Sequence, residues 1–225
     1  MSERLMPTSI KHQYQNDGYV LIKKLFSEHE CDELIDRSVT LHSRKSIPGC
    51  FHSVSEGESG GDPLRIYPRM MHPHRVDDLS LRFLKHPRIV DLLRVLLDGE
   101  AIGLQTMFYW IPPVARWQDF HLDDYYLRTE PNACIAAWMA LDNIDEENGG
   151  LVVFPGSNTE DILEMCPTDT SQSFTDTAVQ PPDQYVEHLV EMEKGDLLFF
   201  YGRLIHGSTP NRSSTPAMVC STSSL

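Results

Sequence analysis

The sequence predicts a mainly β protein in which helices lead into one antiparallel barrel. Two observations carry this. After residue 100, short apolar runs ("AIGLQTMFYWI", "CIAAWMALDN", "GLVVFPGS", "VEHLVEME", "DLLFFYGRLIH") recur, each bounded by Gly, Pro, Asn or Asp, the texture of a barrel or sandwich of short strands. Before residue 100, helix start and stop signals dominate. A length of 225 residues suits one domain: residues 1–100 as a helical support region and 101–225 as the barrel core.

"YVLIKK", after the turn signal Asn16-Asp17-Gly18, predicts a strand. Ser27 followed by Glu30 is a capping box that opens a helix running to about Leu41. Residues 44–63 are rich in Gly, Ser and Pro and predict a long mobile loop. "HPRIVDLLRVLLDG" predicts a second helix, with Pro87 in its first turn and Gly99 as its C-terminal cap. "EENGG" and "EKGD" are tight connections between strands, and 166–184 is a polar insertion or lid.

The net charge is −14, which offers no basic patch for nucleic acid. No apolar run approaches the ~18 residues of a membrane span. Five cysteines (Cys31, Cys50, Cys134, Cys166, Cys220) form no C-x-x-C pair, and their odd number argues for a reducing compartment. With no signal-peptide pattern at the N-terminus, the expectation is a soluble cytoplasmic protein acting on a small molecule.

The chemistry concentrates in "FHLDDYYLR". If this stretch is extended, His121 and Asp123 project to one face, while Asp124 faces away, either behind the site or in solvent. His206, at the end of the apolar strand "DLLFFYGRLIH", supplies a third ligand. Two histidines and one carboxylate on one side of a metal leave open positions opposite, the arrangement of non-haem Fe(II) oxygenases. Gln105 and Tyr109 share one face of "GLQTMFYWI", and a buried Gln needs partners, which suggests a pocket. Arg65, Arg69 and Arg75 read as surface charges balancing an acidic protein, or else as receivers of an anionic substrate.

"FHLDDYYLRTEPNACIAAWMALDN", "ENGGLVVFPGSN" and "KGDLLFFYGRLIHGSTPNRS", with 82 residues between Asp123 and His206, resemble the phytanoyl-CoA dioxygenase family of Fe(II)/2-oxoglutarate oxygenases over most of the chain. The resemblance implies a double-stranded β-helix (a jelly-roll, cupin-like barrel). It implies Fe(II) on His121, Asp123 and His206, with 2-oxoglutarate and O₂ as co-substrates. Substrate hydroxylation would release succinate and CO₂. Relatives that halogenate replace the carboxylate ligand with a small residue, so Asp123 points to hydroxylation. Ser208 resembles a residue that contacts the co-substrate, and Trp138 resembles an aromatic lining its pocket.

The family normally holds the distal carboxylate of 2-oxoglutarate with an arginine on the strand after the second histidine. Here that position is Ala217, on a last strand expected to be short. Three readings compete. Arg212 takes the role from a loop, the reading preferred here; Arg128 reaches in from another strand; or co-substrate binding is impaired. Arg203 is set aside because strand alternation turns it from His206. Outside the hydroxylase class stand a cupin-like non-oxidative metalloenzyme, which would offer more histidines, and a barrel that binds a metal or ligand without turnover.

Overall fold

The computed structural model describes residues 7–129, 134–161 and 163–225. Helices are α1 (Pro7–Asp17), α2 (Glu28–His42), α3 (Glu56–Ser59), α4 (Pro63–Ile66), α5 (Asp78–Leu84), α6 (Pro87–Leu97) and α7 (Asp123–Leu127). Strands are β1 (Tyr19–Ile22), β2 (Ser46–Ile47), β3 (Phe51–His52), β4 (Met70–Met71), β5 (Gly103–Ile111), β6 (Ile135–Ala140) and β7 (Leu151–Val153). They continue as β8 (Met165–Pro167), β9 (Thr177–Val179), β10 (His188–Val190), β11 (Leu197–Tyr201), β12 (His206–Ser208) and β13 (Ala217–Ser224). Among the described residues a six-stranded antiparallel sheet, β1-β11-β6-β13-β5-β4, stands with a three-stranded one, β10-β7-β12, and the two sheets make the double-stranded β-helix. The helical region itself contributes β1 and β4 to the larger sheet. Among the described residues no helix is long and apolar enough to cross a membrane.

Strand alternation sorts the side chains. Ile135, Ala137 and Met139 of β6, Leu197 and Phe199 of β11 and Cys220 of β13 face outward into one apolar cluster with Tyr14 of α1, Leu34 and Leu41 of α2, Phe83 of α5 and Leu93 of α6. Ala136, Trp138, Leu198, Phe200, Ala217 and Val219 face inward as a second cluster. The cap of α2 forms as expected: the Ser27 hydroxyl accepts from the Glu30 N–H while the Glu30 carboxylate accepts from the Ser27 N–H. Gly195, in "EKGD", has φ +91°, and a Cβ there would lie 2.2 Å from the Phe26 carbonyl oxygen, so only glycine fits that turn.

Several expectations need correction. Helix α6 is capped by Asp98 in the left-handed conformation (φ 56°) rather than by Gly99; Asp is one of the residues that tolerates it. Residues 44–63 are not one loop: they form the β2–β3 hairpin and α3, because Ser55 and Glu58 make a second capping box. Strand β11 ends at Tyr201, and His206 instead opens β12 in the other sheet. The last strand, β13, is not short. Its eight residues sit between β5 and β6, where Ser and Thr suffice because both neighbours supply backbone partners. Helices α1, α5 and α7 are not among those expected from the sequence, although Asp77 caps the start of α5.

Candidate metal centre

His121 and His206 pair through their backbones: the His121 N–H donates to the His206 carbonyl at 2.8 Å, and the return bond is 3.1 Å. This sets the two rings side by side, centroids 4.2 Å apart. Leu122 is extended and fully buried, and Asp123 is the first residue of α7. The stretch is therefore not the uniform extended segment expected, yet the turn into α7 still brings Asp123 to the histidines. Its Oδ1 lies 3.8 Å from His121 Nε2 and 3.9 Å from His206 Nε2. The three ligand atoms all fall within 4.8 Å of one another.

Two close backbone approaches hold this geometry. The Asp124 N–H donates to the Gly202 carbonyl at 3.0 Å, tying α7 to the turn after β11. A Cβ on Gly202 would lie 2.3 Å from Asp124 Oδ1, and one on Gly207 would lie 2.8 Å from Phe120 Cδ1 and 2.9 Å from the Gln118 carbonyl oxygen. Asp124 is buried behind the site, as one of the two sequence readings has it, and not in solvent. Burial raises its carboxyl above the ordinary range.

The imidazole tautomers follow from their partners. His121 Nδ1 is 2.9 Å from the Asp119 carbonyl oxygen, and His206 Nδ1 is 2.9 Å from that of Leu204. A carbonyl only accepts, so each Nδ1 carries the proton and each Nε2 offers a lone pair. Burial, with His206 alongside, holds His121 well below the usual histidine value, hence neutral. Burial raises the Asp123 carboxyl, opposed by His206; a divalent cation would favour its anionic form. Two imidazoles whose Nδ1 atoms are held by backbone carbonyls, with a carboxylate beside them, fit a metal such as Fe(II).

The cluster opens on a cavity of about 430 Å³. Ser208 and Trp138 line it, and the Ser208 hydroxyl accepts from the Gln118 N–H at 3.0 Å. Gln105 does not line it; its amide donates to Ser223 Oγ at 3.3 Å. Arg212 is not brought to it either. Beyond β12 the chain turns away, the Arg212 N–H donates to the Glu147 carbonyl, and the side chain is exposed beside a separate open depression. Arg128 is also outside, at the end of α7 against Tyr125, and Arg203 pairs with Asp161. Sequence reasoning missed Gln118, whose amide nitrogen is 3.0 Å from His121 Nε2; no sequence signal marks it. Arg65 and Arg69 line the cavity and Arg75 does not.

A sequence model of the phytanoyl-CoA dioxygenase family matches residues 14–219. The chain belongs to this family. Rat peroxisomal phytanoyl-CoA dioxygenase is 27% identical over 216 residues, covering 89% of this chain and 62% of the rat protein. A phytanoyl-CoA dioxygenase domain-containing protein 1 homolog of Dictyostelium discoideum is 25% identical, covering 89% and 84%. This chain thus spans about 62% of the length of the mammalian phytanoyl-CoA dioxygenases it matches. Among solved structures, the α-ketoglutarate-dependent epimerase SnoN superposes with a TM-score of 0.78 at 18% identity, over 97% of this chain and 82% of SnoN. EctD from S. alaskensis, solved with 2-oxoglutarate and 5-hydroxyectoine, gives 0.75 at 18%, over 100% and 77%. Both share the cupin-like barrel of the iron- and 2-oxoglutarate-dependent oxygenases.

Proposed function

We propose that this protein is an Fe(II)- and 2-oxoglutarate-dependent dioxygenase that hydroxylates a C–H bond of a small organic substrate, with release of succinate and CO₂. The observation that carries the reading is the His121–Asp123–His206 cluster, its ligand atoms within 4.8 Å and opening on a cavity. Iron with 2-oxoglutarate and O₂ supplies the oxidising power; the protein supplies placement. His121 and His206 present preset Nε2 lone pairs, and Asp123 adds the anionic ligand. Retention of Asp123 favours hydroxylation over halogenation. Trp138 and Ser208 border the space beside the cluster, and Met71, Trp110 and Phe174 give the cavity apolar walls. The five cysteines are free thiols, in keeping with a reducing, cytoplasmic setting.

Ala217 favours a second reading, a barrel that holds metal without turning over 2-oxoglutarate. A cupin-like non-oxidative enzyme finds less support, since among the described residues two histidines stand at the cluster. The deciding experiment loads the protein with Fe(II) under nitrogen, adds 2-oxoglutarate and then O₂, and measures succinate. Stoichiometric iron with no succinate above that of Asp123→Ala would replace the oxygenase reading with the second one.

A further inference from the structure

The oxygenase reading leaves an electrostatic gap, and any group assigned to fill it rests on that reading. 2-Oxoglutarate carries a carboxylate at each end. The metal side can take one, and the other needs a cation when taken out of water. Strand β13 offers none: its cavity-side residues run Ala217, Val219, Ser221, Ser223.

Three arginines line the cavity, and two are already engaged by the chain. Arg116 donates to the Asp62 carboxylate at 2.7 Å and to the carbonyls of Thr170 and Ser173. Arg65 donates to the Ser59 carbonyl at 3.0 Å. Arg69 has neither a carboxylate nor a carbonyl partner among the described residues. Its guanidinium carbon lies 4.9 Å from the Phe174 ring centroid and 5.8 Å from that of Tyr109. The Tyr109 hydroxyl, which donates to Met107 Sδ at 3.1 Å, lies within hydrogen-bonding reach of this guanidinium; the stacking fixes the guanidinium plane and leaves its remaining N–H groups for a carboxylate.

The sheet register shows where this charge arrives. Arg69 immediately precedes β4, the edge strand beside β5. Tyr109 of β5 is paired with Val219 and Ile111 with Ala217. Arg69 therefore reaches, from the opposite edge, the same inner face that a cation at 217 would serve, one inward position further along β13. The next inward residue, Ser221, lines the cavity with a buried hydroxyl that has no hydrogen-bond partner among the described residues. A buried hydroxyl on the cavity wall beside Tyr109 is available to a ligand there.

We propose that Arg69, with the hydroxyls of Tyr109 and Ser221, clamps the distal carboxylate of 2-oxoglutarate and replaces the strand cation absent at Ala217. Arg69 is then a specificity-determining residue for the co-substrate.

The test compares two ligands by anaerobic calorimetric titration of the Fe(II)-loaded protein: 2-oxoglutarate, and 2-oxopentanoate, which keeps the keto acid and lacks the distal carboxylate. Loss of a hydrogen-bonded charge partner should make Arg69→Ala bind 2-oxoglutarate about 10- to 100-fold more weakly, with 2-oxopentanoate altered less than about 3-fold. Arg69→Gln, which keeps most of the stem, takes its place if the alanine variant fails to hold iron. Unchanged 2-oxoglutarate affinity, or equal weakening of both ligands, overturns the clamp while leaving the oxygenase reading intact. A wild-type protein that holds iron but binds neither ligand removes the oxygenase reading itself, and the clamp with it.

Discussion

On the outer face of the six-stranded sheet, Met139, Phe199 and Cys220 press against α1, α2, α5 and α6, and the space is filled with apolar side chains. One residue along the same strands, Ala136, Val219 and Ser221 border a cavity. The inner face sets Ala136, Val219 and Ser221 beside Trp138 and Phe200 and leaves open space between them, where the outer face is filled. One sheet thus divides the work: stability is gathered on the side the helices cover, and room for a ligand is kept on the other. The helical side also satisfies its buried charge. Asp77 accepts from the Ser80 N–H, the Ser80 hydroxyl and Arg37. Asp124, behind the metal centre, has neither carboxylate oxygen hydrogen-bonded among the described residues.

The sharpest way to break this division is at the cavity. Alanine at His121, Asp123 or His206 should abolish stoichiometric Fe(II) binding, read by metal analysis after desalting, while the thermal transition of the metal-free protein stays close to wild type. A metal-free variant that unfolds would mean the cluster belongs to the stability side. Next in size is the paired test across the sheet. Phe199→Ala empties a filled site and should cost about 3–5 kcal/mol in denaturant unfolding. Val219→Ala, beside existing space, should cost about 1–2 kcal/mol. Equal costs would erase the distinction between the faces.

The smallest effect concerns pH. Burial pushes the Asp77 carboxyl up, but the Ser80 N–H, Arg37 and the Ser80 hydroxyl outweigh it, and its folded value lies below the ordinary one. Its contribution is therefore present above the unfolded value of about 4 and lost as pH falls through the folded one. Asp77→Asn keeps a cap acceptor but loses the charge that faces Arg37; it should lower stability at neutral pH by about 0.5–1 kcal/mol and should flatten the decline below pH 4. An unaltered acid limb would show that Asp77 is no better held than an exposed carboxylate.

The legible parts of this molecule are those written locally. The Ser27–Glu30 box and the short bounded apolar runs "CIAAWMALDN" and "DLLFFY" are short-range patterns. The metal triad is legible because His121, Asp123 and His206 sit in motifs that resemble a family. The extended geometry inferred for H-x-D is not what forms: Asp123 reaches the site by opening α7. Arg69, more than 50 residues before His121, reads as surface charge in the sequence, since nothing local reveals that β4 will join the sheet edge beside Tyr109. Arg212 is favoured by its nearness to His206 in sequence, and a turn of a few residues is enough to send it outward. Sequence distance predicts strands and caps well; cavity walls are assembled from partners that only the sheet order brings together.

The backbone pair between His121 and His206 has a mechanical consequence. His206 belongs to the three-stranded sheet, whereas Asp123 is anchored through Asp124 to the end of β11 in the six-stranded one. A metal gripping both would act as a rivet between the two sheets, and parting them would first require its release. Iron occupancy and slow amide exchange at positions 121, 124 and 206 should then rise together, each reporting the same opening of the barrel seam.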